Sequence, residues 1–137
     1  MVIFITVVLC KISMNGLTFD WDDVSIDDPT VQQALSQLAT TFPDQVWYRV
    51  SSSGTGLHVL VAELSPELEL IPVSFAPDQV MELRSQYWDP TGFGLECGGR
   101  LRADRERLAH GFSIGRLFAV KNNRETGGWQ PFYQLEE

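Results

Sequence analysis

The run from Val46 to Leu64 constrains the fold more than any other part of this sequence. A β-branched and aromatic stretch, Val46 to Val50, enters the small polar segment Ser51-Ser52-Ser53-Gly54-Thr55-Gly56. A second such stretch, Leu57 to Leu64, leaves it. Two strand-like runs joined by a short Ser/Gly loop predict an antiparallel pair. The glycines permit φ > 0 and let backbone amides approach a ligand. The serines add hydroxyl donors, and His58 stands near the start of the second strand, where it would meet a phosphate.

The rest of the chain punctuates itself. Gly16 to Asp22 reads as a strand that ends in an acidic loop. Asp28-Pro29 opens a helix, with Asp as N-cap and Pro at the first helical position. The helix runs to about Thr40, with Val31, Ala34, Leu35 and Leu38 on one face. Ser65 to Ala76 is loop or a short edge strand. Pro77-Asp78 opens a second helix to about Tyr87, and Trp88 to Gly92 is a turn. A third helix is expected near Gly99 to Ala109, closed by His110-Gly111. Arg116 to Lys121 and Trp129 to Gln134 read as strands around a turn at Asn122 to Gly128. The order β-α-β-β-α-α-β-β predicts an α+β fold, an antiparallel sheet with helices on one face. It is close to the plan of RNA-recognition domains and polymerase palms.

The chain has 137 residues, enough for one domain over 1–137. Its apolar opening, Met1 to Leu9, lacks a basic flank and spans about half the ~20 residues of a membrane helix. It reads as an N-terminal strand within 1–14, or as an extended start with Met14 beginning the domain. No membrane association is expected. Cys10 and Cys97 are the only cysteines, so neither a disulfide framework nor a cysteine zinc site is available, and a reducing, cytoplasmic setting is expected. The net charge of −8 argues against a broad basic surface for duplex nucleic acid. A local groove remains open to it. Arg100, Arg102, Arg105, Arg107, Arg116 and Lys121 hold six of the ten basic residues in a short span.

Asp20 and Asp22 flank Trp21, and strand alternation puts both carboxylates on one face and the indole on the other. Two carboxylates on one face can hold a divalent cation through oxygen. The alternative is a solvated acidic strand end. His58 shares its strand face with Leu60 and Ala62, which also fits a satisfied core histidine. The arginines spread around their helix, and ion pairs with Asp104 and Glu106 compete with a role in a groove. The four tryptophans, Trp21, Trp47, Trp88 and Trp129, are expected in the core rather than as base-stacking platforms.

Asp20-Trp21-Asp22 on a strand, then a helix, a strand and Ser53-Gly54-Thr55-Gly56-Leu57-His58, resembles the catalytic core of the archaeo-eukaryotic primase superfamily, which includes primase-polymerases of viruses and plasmids. Asp20 and Asp22 match its first motif, and Ser53, Gly54, Gly56 and His58 match its second. The resemblance covers about Leu17 to Glu63. It implies a metal-dependent nucleotidyltransferase of DNA replication or repair, in minimal or degenerate form. Asp20, Asp22 and His58 would be catalytic. Mg²⁺ or Mn²⁺ would sit on Asp20, Asp22 and a third carboxylate, Asp104 or alternatively Asp89. Ser53, Gly54, Gly56, His58, Arg116 and Lys121 would bind the nucleoside triphosphate. Arg100, Arg102 and Arg105 would hold a DNA template or primer.

A non-catalytic nucleic-acid-binding module of the same fold is the competing reading. Aromatic rings exposed on the open sheet face would favour it, and a converging Asp/Asp/His pocket would favour the enzyme. A rolling-circle endonuclease ranks low, because Val59 and Leu60 follow His58 where a second metal-binding histidine would be needed.

Overall fold

A computed structural model describes residues 8–9, 16–117, 120–121 and 123–133. The remainder of the 1–14 segment, Cys10, Met14 and Gln134 lie outside the described residues, as does the side chain of Lys121. The strands are β1 (Val8–Leu9), β2 (Thr18–Trp21), β3 (Val46–Val50), β4 (Leu57–Leu64), β5 (Glu69–Pro72), β6 (Val120–Lys121), β7 (Arg124–Glu125) and β8 (Gln130–Pro131). The helices are α1 (Pro29–Thr41), α2 (Pro77–Trp88) and α3 (Gly98–Ala109). The fold is α+β with a mostly antiparallel sheet. No helix among the described residues is long and apolar enough to cross a membrane.

β4 is the organising strand. β3 lies antiparallel along one side, pairing Val50 with Leu57 and Val46 with Val61. The other side is shared end to end by β2, opposite Leu57 to Leu60, and β5, opposite Ala62 to Leu64. β8 adds to the outer edge of β3, and β1 runs parallel to β5. β6 and β7 form a separate two-stranded hairpin.

Alternation then sorts the side chains. Leu17, Phe19 and Trp21, with Leu57, Val59 and Val61, face a core built with α1, α2 and Leu101 of α3. All six are essentially inaccessible, and burying each aliphatic side chain among them is worth about 1.5–3 kcal/mol. Trp21 stacks on Tyr87 of α2, as its position between two aspartates requires. The opposite face carries Trp47, Leu60, Ala62, Leu70 and Trp129 in a second cluster. Trp88 departs from expectation and is half-exposed, because it ends α2 and faces away from both clusters.

α1 begins as its sequence predicts, the Asp28 carboxylate accepting from the Thr30 amide at 2.9 Å. Its buried residues are Val31, Ala34, Leu35 and Leu38. The C-terminal quarter differs more. The strand expected over Arg116 to Lys121 is a two-residue strand, β6, preceded by irregular chain through Leu117. The turn expected at Asn122 to Gly128 contains β7, and the last strand shortens to β8. The irregular stretch is held by side chains instead of a ladder: the Gly115 carbonyl accepts from Thr18 Oγ1 at 2.6 Å, and its amide donates to Asp104 Oδ2 at 3.2 Å.

Candidate functional site

β2 and β4 place Asp20 directly opposite His58. β3 places Arg49 opposite the same histidine from the other side. Since directly paired residues share a face, all three side chains stand on the sheet face opposite the core that packs on α1 and α2. The Asp20 Oδ1 to His58 Nε2 distance is 3.8 Å, longer than a hydrogen bond. Arg49 Nε donates to His58 Nδ1 at 3.0 Å, and its guanidinium lies 4.4 Å from the centre of the Trp129 ring. That stack is a cation–π contact.

The chemistry of the imidazole follows. With Nδ1 accepting from Arg49, the ring proton resides on Nε2, the nitrogen nearer Asp20. Burial, reinforced by Arg49 and Arg100, pushes the His58 pKa down to about 4, so the ring is neutral near pH 7. Burial likewise lowers Arg49 to about 10, which leaves it charged. His58 is thus a neutral hydrogen-bond donor rather than a cation.

A cleft of about 780 Å³ opens beside these groups. Asp20, Asp22 and His58 lie along it, and Ser51, Ser52 and Ser53 form its loop side. α3 contributes Arg100, Ala103 and Arg107, and the chain after α3 contributes Phe112, Ser113, Arg116 and Leu117. Carboxylates and guanidinium groups therefore line one cavity. Arg100 is fixed in that wall: its guanidinium donates to the Thr18 carbonyl at 3.2 Å and to Thr18 Oγ1.

Several expected participants stand elsewhere. Asp104 is inside the protein rather than on the cleft: its Oδ2 accepts from Arg84 Nη1 and its Oδ1 from Arg107 Nη1, both at 2.7 Å. Burial pushes its carboxyl up, but those bonds and the Gly115 amide outweigh it and hold the group below the usual aspartate value. Asp89 ends α2 and is exposed, its Oδ1 accepting from the amide and hydroxyl of Thr91 at 2.9 Å. Those two bonds hold it low. Arg105 turns to α2, donating to Ser85 Oγ at 3.2 Å, and Arg102 is exposed away from the cleft.

The loop glycines act on the backbone rather than on the cleft wall. A Cβ on Gly56 would stand 2.5 Å from the Trp21 carbonyl oxygen, so only glycine lets the start of β4 pass the end of β2. Gly54 supplies the left-handed turn at φ +77°, and its amide closes the loop on the Ser51 carbonyl at 2.9 Å. The amides of Ser51 and Thr55 are also engaged within the loop. The hydroxyls pair within the loop as well, Ser51 Oγ with Ser53 Oγ and Ser53 Oγ with Thr55 Oγ1, each at 3.0 Å.

Glu96, like Arg49 and Phe112, is a residue that sequence reading missed. Its buried carboxylate accepts from the Asp20 amide and from Arg84 Nε, each at 2.7 Å, and Arg100 Nη1 lies 3.5 Å away. Burial pushes this carboxyl up against the pull of Arg84 and Arg100. Its backbone bridges to Trp21, extending the sheet past β2. Glu96 fixes the strand that carries Asp20 and the arginines that face it. No spacing rule links position 96 to positions 20 and 84.

Asp20 and Asp22 offer oxygen donors suited to a hard divalent cation. Among the described residues, no group of three or more His, Cys, Asp or Glu side chains is placed to hold one. Two carboxylates suit an ion that completes its shell with the phosphates of its ligand, which is usual for Mg²⁺. Comparison with protein-family models, with curated proteins and with solved structures finds no match to this chain.

Proposed function

We propose that this protein is a metal-dependent nucleotidyltransferase of primase-polymerase type, acting in the cytoplasm on nucleoside triphosphates with a DNA template or primer. The observation that carries the reading is the pairing of Asp20 with His58 across β2 and β4, on a cleft that Arg100, Arg107 and Arg116 also line. A mostly antiparallel sheet with three helices is compatible with a palm-like plan.

In this reading each group has a distinct role. Asp20 and Asp22 orient Mg²⁺ or Mn²⁺ together with the triphosphate. Bound there, the cation supplies charge neutralisation and acidifies an attacking hydroxyl. His58 donates its Nε2 proton to a phosphate oxygen, its orientation fixed by Arg49. Arg100, Arg107 and Arg116 offset phosphate charge in charge-assisted hydrogen bonds, and the serine hydroxyls add neutral donors.

A second reading, a nucleic-acid-binding module without catalysis, draws support from Asp104, whose carboxylate is committed to Arg84 and Arg107. Against it, the aromatic rings on the second sheet face, Trp47 and Trp129, are buried rather than offered to bases. Calorimetric titration of a deoxynucleoside triphosphate, with and without Mn²⁺, separates the readings when combined with primer extension. Metal-dependent binding and incorporation are expected, and Asp20→Ala is expected to abolish both while the fold persists. Wild-type behaviour of that variant removes the metal assignment. Metal-dependent binding without incorporation favours the module.

A further inference from the structure

Phe112 lines the cleft with 64% of its surface exposed, and it is the only Phe, Tyr or Trp side chain on that wall among the described residues. α3 ends in a left-handed glycine, Gly111 at φ +77°, whose amide donates to the Leu108 carbonyl at 3.1 Å. The next amide, that of Phe112, donates to the Arg107 carbonyl at 2.8 Å. This pair of bonds is a Schellman motif, in which the Phe112 position frequently packs on an apolar residue one turn back; in this chain those positions are Arg107 and Glu106, which offer the ring no apolar partner. Here the ring stands out beside the cleft instead.

The backbone beneath it is tethered. Ile114 is buried, and Gly115 is tied to Asp104 and Thr18. The rest of the wall is mostly charged or hydroxylic, with Leu117 the nearest apolar companion in sequence. A flat apolar face on a fixed backbone, between Arg107 and Arg116, matches a ligand that is anionic at one end and planar and aromatic at the other.

We infer that Phe112 is the surface on which the nucleobase of the bound nucleotide stacks. The inference rests on the nucleotide reading above and adds what holds the base, as distinct from what holds the phosphates. A ring presented in advance loses little freedom on binding, and stacking tolerates any base because each has a π-face.

The test compares two probes on the intact chain, each with Mn²⁺: deoxyadenosine triphosphate and inorganic tripolyphosphate. Phe112→Ala should weaken the nucleotide by on the order of tenfold or more and leave tripolyphosphate unchanged. Phe112→Trp should bind both as the wild type does. Nucleotide affinity unchanged in Phe112→Ala, or both probes weakened equally, overturns the inference while leaving the phosphate site standing. If the wild type binds neither probe, the nucleotide reading falls and the stacking role with it.

Discussion

Arg49 Nε donates to Nδ1 of His58 at 3.0 Å, and the two residues are direct cross-strand partners on β3 and β4. This bond selects the tautomer that presents Nε2–H towards Asp20, and the stack on Trp129 fixes the arginine that makes it. Arg49→Leu removes the donor and the charge but keeps an apolar stem. A loss of about 1–3 kcal/mol of stability is expected, combining a buried charge-assisted hydrogen bond and a cation–π contact. Urea unfolding measures it. ¹⁵N shifts of the His58 ring should show the proton on Nε2 in the wild type at pH 7 and a mixture of tautomers in the variant.

Stability should rise with pH across the range set by His58. Its folded pKa is about 4, against 6.5 for an ordinary histidine. Between those values the unfolded chain binds more protons than the folded one, so raising the pH favours folding there. The contribution is present above about pH 6.5, falls as pH drops, and is fully lost below about 4. Above that window it is worth ~3 kcal/mol. Urea midpoints measured from pH 4 to 7 on the wild type and on His58→Gln check this. The variant should lack that component of the slope, and parallel curves would refute the assignment.

Arg84 is buried between Glu96 and Asp104, with an N–O distance of 2.7 Å to each. Arg84→Met leaves two carboxylates inside the protein without their shared cation. A cost of about 3–5 kcal/mol is expected. Adding Glu96→Gln should recover part of it, because one of the stranded charges is then gone. A double-mutant cycle by thermal unfolding reads the coupling. Additive losses would mean that the two groups do not interact as their geometry requires.

Gly56→Ala and Gly54→Ala should differ in kind. At Gly56 the new methyl meets the Trp21 carbonyl at 2.5 Å and the Asp22 Cα at 3.3 Å, so the end of β2 must move. About 1–3 kcal/mol of stability should be lost, together with the metal-dependent nucleotide binding proposed above. At Gly54 the methyl enters open space, and only the left-handed backbone resists it. About 1 kcal/mol is expected there, with binding retained.

These residues also show what the sequence made legible. The pairing of β3 with β4 was readable because strand propensity and a Ser/Gly turn agree locally. α1 was readable because Asp28, Pro29 and its apolar stripe agree as well. That Asp20 and Trp21 face opposite ways is a consequence of the strand period alone. The Arg84–Glu96–Asp104 network was not readable, since buried ion pairs form between residues brought together by packing, with no fixed spacing. For the same reason Asp104 reads in the sequence as a metal ligand or a surface ion-pair partner rather than as a buried one. The stretch after α3 looked like a strand because its composition is strand-like. In the fold it is held by Thr18 and Asp104, contacts that no local pattern announces.

β2 is four residues long, and its neighbours serve opposite ends: Phe19 and Trp21 are inside, while Asp20 faces the cleft. Because a side chain's destination alternates at every position, an insertion or deletion of one residue here would send indole towards solvent and carboxylate into the hydrocarbon interior. Length variation in descendants of this chain should therefore gather at the exposed hairpin around Pro66 to Leu68 and spare the segment from Leu17 to Asp22. In this strand, reading frame and function are the same constraint.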